Sequence, residues 1–548
     1  MKKAFVCFFS ASLVLATARP AAAENWPQWR GPLFNGSSTE KGLPSTWTKE
    51  SAQWQADLPG PSAASPIIWG DRVFISTPND TTKTLHALCL DRKTGRTLWD
   101  RKVGEGRIER DEKSNFASPS PAADAERVFF FYGNGTLVAF DHAGQELWSR
   151  SLTKDYGEFA FQWTFSTSPM LYGGKLYVQV LQRNVPARGQ GGAGGPIESY
   201  LLALDPATGK TLWRHVRPSD AVAESLEAFS TPVPFEGKGR KEILLAGGDC
   251  LTGHDPETGR ELWRWGTWNP GKIGHWRLVP SPVAGGGVVL ACAPKGSPVY
   301  AIKAGATGLL TDSAIAWKTD QKREVSADVP TPLFFEGDFF VLSDVRKNLS
   351  RIDPVTGNVK WTVELPGRRK FEASPTGADG KIYLLNFGGE VVVAEAATGK
   401  ILSTIPMGEN GDDTTRSTIA TAHGQLFIRT NRKLYCITGK KPQPRAGRSK
   451  QHAKQKHYEH IKVMFPRCLG GGGNGPFGLG RELARLARTR RNRRLFRKKP
   501  PAAMEHEREC ALAGRLARPR QLLAHRLGQT RLRCASSANR KPAHPDVL

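Results

Sequence analysis

The sequence is short of the residues that build metal centres, disulfide frameworks and membrane spans. It has 548 residues, with only 8 Cys and 5 Met. The cysteines are scattered at Cys7, Cys89, Cys250, Cys292, Cys436, Cys468, Cys510 and Cys534. None forms a C-x-x-C pair, which excludes zinc-ribbon and thioredoxin-type readings. No Ser-His-Asp signature or metal-spaced His pair stands out. The Gly-rich stretch Gly189–Gly195 lacks P-loop spacing and reads as a flexible hairpin insertion. Long apolar runs are missing too. The one candidate, Phe5–Ala18, is too short to span a bilayer. With Lys2-Lys3 before it and Ala21-Ala22-Ala23 after it, residues 1–23 read as a signal peptide cleaved near Ala23. The mature chain is therefore expected to be exported and soluble, periplasmic or extracellular, with no transmembrane segment.

Acidic residues are scarce at one end only. Residues 441–548 hold 27 Lys/Arg against 6 Asp/Glu, so most of the formal charge of +27 belongs to this stretch. All 15 Trp precede residue 441. The stretch reads as a disordered basic extension or as non-native translated sequence. Phe496 is the single aromatic within its Arg run, too few for a stacking platform, and no nucleic-acid role is expected of the rest of the chain. The expected organisation is a signal peptide (1–23), a repeat domain (24–440) and a basic low-complexity tail (441–548).

What the sequence does have is a repeated phrase. Leu-Asp-Pro-Ala-Thr-Gly-Lys-Thr-Leu-Trp stands at Leu204–Trp213, with close copies at Leu90–Trp99, His254–Trp263 and Ile352–Trp361. A shorter copy runs Phe140–Trp148, and worn copies surround Thr307–Trp317 and Glu395–Ser403. A period near 50 residues means an array of small units. In each phrase an apolar strand ends at Asp, whose carboxylate closes a turn on downstream N–H groups. Gly supplies the φ > 0 position, and a second strand carries the Trp. The repeat residues are Asp91, Gly95 and Trp99; Asp141, Gly144 and Trp148; Asp205, Gly209 and Trp213; Asp255, Gly259 and Trp263; and Asp353, Gly357 and Trp361.

A second landmark lies upstream in each unit, where Ser or Thr precedes Pro. The pairs begin at Ser65, Ser120, Ser168, Thr231, Ser281, Thr331 and Ser374, and Thr418-Ile419 keeps the spacing without the Pro. Pro at the first residue of a strand removes no ladder donor. Two hairpins per unit make a four-stranded blade, and the landmarks count eight. The eighth lacks its Trp strand. Trp54-Gln-Ala-Asp-Leu-Pro-Gly60 matches Trp361-Thr-Val-Glu-Leu-Pro-Gly367, so the N-terminal strand is expected to complete blade eight and close the ring. The fold class is thus all-β, an eight-bladed propeller of four-stranded antiparallel blades, expected as a monomer.

The Asp-x-x-Thr-Gly-x-x-x-Trp phrase in eight blades resembles the pyrroloquinoline-quinone-like propeller repeat. Quinoprotein alcohol dehydrogenases and the propeller lipoprotein of the outer-membrane β-barrel assembly machinery share that repeat. The opening Asn25-Trp-Pro-Gln-Trp-Arg-Gly-Pro32 resembles the start of exported bacterial members. The resemblance covers about residues 25–440 and implies the fold; the repeat serves members with and without quinone. Quinoprotein dehydrogenases place a vicinal Cys-Cys disulfide over the quinone, and no two cysteines here are adjacent.

Ligand contacts are expected in the long loops entering each blade. These carry Arg107, Arg110, Glu112 and Asn115 before blade two, and Gln162 and Trp163 before blade three. Glu227 precedes blade four. Trp265, Trp268, His275, Trp276 and Arg277 precede blade five, Arg323 and Asp328 precede blade six, and Arg368, Arg369, Lys370 and Glu372 precede blade seven. Aromatics with Arg in an exposed loop are interface anchors. Glu227 and Asp328 are the carboxylates placed to hold calcium. The expected function is a non-enzymatic scaffold that binds an envelope protein through its loop-rich face, without a cofactor. The alternatives are a quinone- and calcium-dependent dehydrogenase and a glycan- or polymer-binding module.

Overall fold

The structure, a computed structural model, describes residues 24–106, 114–187, 196–320 and 324–439. The signal segment, the basic tail, Arg107, Arg110, Glu112 and Arg323 lie outside them. Eight sheets follow one another along the chain. Blade one is typical, with strands Ile67–Trp69, Arg72–Asn79, Thr84–Asp91 and Thr97–Glu105 paired antiparallel in that order. The last blade is completed from the other end of the chain. Trp54–Asp57 pairs antiparallel with Lys433–Thr438, with Trp54 opposite Cys436. The eight-bladed closure expected from the two matching phrases is the one observed.

The repeated phrase turns out to be a staple between blades. Asp91 accepts from the Lys93 and Thr94 N–H groups at 3.1 and 2.8 Å and so closes the turn. Gly95 sits there at φ +73, and the Trp54 indole of the preceding blade lies against its Cα. A β-carbon at Gly95 would stand 2.5 Å from that ring. The Trp54 indole N–H donates to the Arg92 carbonyl at 2.7 Å. The same arrangement recurs with Trp99 on Gly144, Trp148 on Gly209, Trp317 on Gly357 and Trp361 on Gly399, each indole bonded to a neighbouring turn carbonyl. Trp213 covers Gly259 without such a bond. The spacing from Asp to Trp is therefore set by the need to reach the next blade. Across the sheet, Cys89, Ala139, Ala203 and Gly253 stand opposite Trp99, Trp148, Trp213 and Trp263. A small residue there leaves room for the ring. Cys89, Cys250, Cys292 and Cys436 are all buried free thiols.

Blade four departs from the four-stranded expectation. Gly308–Leu310, inside the worn copy of the phrase, pairs parallel with Glu261–Trp265 and gives this sheet a fifth strand. A short 3-10 turn at Asp312–Ala314 then leads to Ile315–Lys318, the last strand of blade five. Trp263 differs accordingly, since its indole N–H donates to Glu242 of its own sheet at 2.5 Å.

Candidate functional site

The eight Ser/Thr landmarks meet on the propeller axis. The Ser65 N–H donates to Ser120 Oγ at 2.9 Å, and the Ser120 N–H to Ser168 Oγ at 3.0 Å. Ser168 N–H donates to Thr231 Oγ1 at 3.2 Å, Thr231 N–H to Ser281 Oγ at 2.8 Å, and Ser281 N–H to Thr331 Oγ1 at 3.0 Å. Thr331 N–H reaches Ser374 Oγ at 3.0 Å, and Thr418 N–H closes onto Ser65 Oγ at 2.9 Å. Seven of the eight neighbouring pairs of blades are tied in this way, the pair of blades seven and eight being the exception. Seven of the eight hydroxyls, all but that of Thr418, use a lone pair on a neighbour's amide, so their own protons stay available to donate toward the axis. The Pro that follows seven of the landmarks has no N–H, which leaves the landmark amide as the donor that makes the tie; Thr418, followed by Ile419, donates in the same way.

One side of the axis is closed by the N-terminal segment. Trp26 bridges to Ile68 of blade one and Gln28 to Ala122 of blade two. Gln28 Oε1 accepts the Leu171 N–H of blade three at 2.8 Å. The chain then crosses to blades six and seven, where Arg30 donates to the Pro332 carbonyl at 2.6 Å and the Pro375 carbonyl at 2.9 Å. Trp29 lies between these two moorings and forms the floor of an axial cavity of about 140 Å³. A water needs about 10–15 Å³ on this measure, so the cavity suits a small organic molecule. The wall includes Ser120, Ser168, Thr231, Thr331, Ser374 and Thr418 of the hydroxyl ring, and the rim includes Trp163, Arg277, Glu372 and Arg416.

The electrostatics of the cavity are lopsided. Arg277 Nη1 lies 3.1 Å from Glu224 Oε1, and Arg416 Nε 3.0 Å from Glu372 Oε2, so both rim arginines are matched by carboxylates. Trp163 donates to Glu224 at 2.8 Å, and the Arg277 guanidinium stands 5.9 Å from its ring centre. Arg30 is different. It is 1% exposed, it donates to the carbonyls of Asn35, Pro332 and Pro375, and it has no carboxylate partner among the described residues. Burial pulls it down to about 9, which leaves it charged at neutral pH. A positive charge without a counter-ion therefore lies beside the floor, 5.8 Å from the Trp29 ring centre.

The residues singled out in the sequence divide sharply. Trp163, Arg277 and Glu372 reach the cavity. Gln162 holds its loop in place, its N–H donating to Glu227 Oε1 at 3.0 Å. Asn115 is buried and bonds the Pro61 carbonyl and the Ala117 N–H, a loop-bracing role. Trp265 and Trp268 are not exposed anchors. They are 0% and 6% exposed and pack on each other and on Tyr300, because Trp265 ends the strand Glu261–Trp265 and the loop after it folds Trp268 into the same blade four–five interface. Trp276 is half-buried against the same cluster, and His275 is exposed.

Glu227 and Asp328 hold different partners. Glu227 is fully buried on Arg183 at 2.5 Å, and burial raises its pKa. Asp328 accepts the Lys295 N–H at 2.8 Å. Among the described residues no group of three or more His, Cys, Asp or Glu is arranged to hold a metal ion. Sequence reasoning missed Trp29, Arg30, Glu224 and Arg416. The Trp-Arg pair stood in plain view in the Asn25–Pro32 opening, and nothing local revealed that it lies under the axis.

These features define a class, the eight-bladed propeller with an axial cavity. The chain belongs to the family described as outer membrane protein assembly factor BamB, whose model matches residues 46–188, 89–312 and 310–441. A polyvinylalcohol dehydrogenase of Sphingopyxis sp. (strain 113P3) is 28% identical over 197 residues, which is 35% of this chain and 28% of that one. A polyvinylalcohol dehydrogenase of a Pseudomonas sp. is 25% identical over 164 residues, 30% of this chain and 24% of that one. The chain therefore spans less than a third of the length of these curated relatives.

The structure resembles the quinohemoprotein alcohol dehydrogenase of Comamonas testosteroni, with a TM-score of 0.53 at 14% identity over 77% of this chain and 82% of that one. It also resembles a europium-containing methanol dehydrogenase, with a TM-score of 0.54 at 11% identity over 75% and 98% of the two chains. At such identities the likeness shows the fold alone. No helix of the described residues is long and apolar enough to cross a membrane.

Proposed function

We propose that this chain is an exported binding propeller whose ligand is a compact, planar, carboxylate-bearing molecule held in the axial pocket. The carrying observation is the uncompensated Arg30 charge beneath an indole floor, inside a ring of hydroxyls free to donate. An indole face stacks on a flat π system, and hydroxyl donors with a buried cation favour carboxylates.

A pyrroloquinoline quinone is the concrete candidate. Trp29 suits its ring face, and Ser120, Ser168, Thr231, Thr331, Ser374 and Thr418 suit its carboxylates. Bound there, the quinone would supply two-electron redox chemistry. The protein would orient the ring on Trp29, exclude water from the closed side and hold the carboxylates on the ring hydroxyls. Of the two carboxylates, Glu227 holds Arg183 through Oε1 and keeps Oε2 buried without a partner, so it is the one that would reach a calcium ion, while Asp328 accepts the Lys295 amide. The dehydrogenase names of the relatives favour a redox ligand over a glycan. Capture of an envelope protein rests on the family description, and it no longer has Trp265 and Trp268 as anchors.

The test is a titration of the full chain with pyrroloquinoline quinone, followed by tryptophan quenching and by calorimetry, with and without chelator. Saturable one-to-one binding that persists in chelator and weakens at least tenfold in Trp29→Ala supports the proposal. A folded protein that shows no binding overturns it and leaves partner capture as the reading to pursue.

A further inference from the structure

Blade one carries a second constellation, on its outer two strands and away from the axis. Asp100 Oδ1 lies 2.6 Å from His86 Nδ1. His86 Nε2 lies 2.7 Å from Thr84 Oγ1, which lies 2.5 Å from Thr82 Oγ1. Thr84 and His86 sit two residues apart on the strand Thr84–Asp91 and so share a face. Asp100 pairs with Leu88 on the neighbouring strand and reaches His86 diagonally. A bulge between Leu85 and His86 adjusts the register at this point.

The direction of the chain of hydrogen bonds follows from its end. Asp100 can only accept when ionised, so His86 Nδ1 carries the proton. In the tautomer with the proton on Nδ1 alone, Nε2 accepts, so Thr84 donates to it. With its proton committed, Thr84 can only accept from Thr82. The proton of Thr82 is thus turned inward, and its lone pairs face out. Thr82 is exposed, whereas Thr84 is buried and the His86 side chain is 13% exposed. The hairpin tip is rigid. Asn79 Oδ1 accepts from the N–H groups of Thr81 and Thr82 at 3.0 and 3.1 Å, and Lys83 is held at φ +58. An exposed hydroxyl, a buried relay, a histidine base and an orienting carboxylate are the parts of an activated nucleophile.

We propose that Thr82 is an acyl-accepting nucleophile toward small esters, activated through Thr84 by His86 and Asp100. Thr82 Oγ1 adds to the ester carbonyl while its proton moves to Thr84 Oγ1 and the proton of Thr84 moves to His86 Nε2. The imidazolium is held by Asp100. The tetrahedral adduct then breaks its C–O bond to the alcohol, which leaves with the proton returned from His86. Water, deprotonated through the same relay, releases the acid and restores Thr82. No oxidant or reductant is required. Thr82 is the catalytic residue, and Thr84, His86 and Asp100 are positioning residues.

The experiment treats the full chain with p-nitrophenyl acetate and with a fluorophosphonate probe, and locates the adduct by peptide mass spectrometry. The expected adduct is on Thr82, absent in Thr82→Ala and restored in Thr82→Ser. Positioned proton transfer contributes about 10²–10⁴-fold, so His86→Gln should label at least about 100-fold more slowly at unchanged melting temperature. Asp100→Asn, on a half-exposed site, serves as the second variant and should slow labelling without unfolding the blade. An adduct elsewhere, no adduct, or wild-type labelling rates in both His86→Gln and Asp100→Asn would overturn the proposal.

Discussion

The staple between blades makes a quantitative prediction about coupling. Gly95→Ala introduces two penalties. Its φ of +73 costs an alanine about 1–2 kcal/mol. Its new methyl stands 2.5 Å from the Trp54 ring, and such overpacking costs about 1–3 kcal/mol. Trp54→Ala alone removes a core indole that is 7% exposed, at about 3–5 kcal/mol. In the double variant the methyl meets no ring, so Gly95→Ala should cost only its backbone strain. The coupling is therefore about 1–3 kcal/mol, with the double variant more stable than the sum of the singles. For roughly 400 residues the unfolding entropy is about 0.9 kcal/mol/K, so each kcal/mol moves the melting temperature by about 1 °C. Differential scanning calorimetry of the four proteins reads the cycle. If Gly95→Ala lowers the melting temperature equally with and without Trp54, the blades are not held by this contact and the account of the repeat spacing fails.

Two further outcomes follow from the axis and its surroundings. Ser168→Ala leaves the buried Ser120 amide without its acceptor and should cost about 1–3 kcal/mol in urea denaturation, whereas Ser168→Thr should cost little. Asp344 is 7% exposed, and burial together with Asp328 and Glu372 pushes it up to about 6. An acid whose pKa is raised on folding loses stability as pH rises from its unfolded value near 4 through 6. Asp344→Asn should therefore match the wild type at pH 4 and exceed it by about 1–3 kcal/mol at pH 8, as read by denaturant titration at both pH values. A stability difference that stays constant with pH refutes this.

Much of the fold could be read in one dimension because its contacts repeat. The Asp, Gly and Trp of each phrase report a local turn and a fixed reach, and both are chain-local quantities. The matching phrase at Trp54 disclosed closure for the same reason. Blade four was less legible. Gly308–Leu310 looks like a worn turn, and only its pairing with Glu261–Trp265 shows it to be a strand. The loop Trp265–Arg277 misled, because aromatics in a loop signal an interface until the burial of each ring is known. Trp265 and Trp268 found cover against Tyr300, while Arg277 found the axis.

The relay on blade one was invisible for another reason. Its members stand at 82, 84, 86 and 100, and it needs an alternating strand, a bulge and a diagonal neighbour to assemble.

The sequence by itself determined the number of blades, their turns and the strand that closes the ring, since each depends on residues close together or on an exact copy of a phrase. Tertiary structure decided the site. Ser65, Ser120 and their counterparts are about 50 residues apart, and each looks only like the start of a strand. Closing the ring brings them onto one axis, where their hydroxyls bond neighbouring amides. The same closure sets Trp29 and Arg30 beneath them, because a segment that crosses the end of a propeller must pass over its centre.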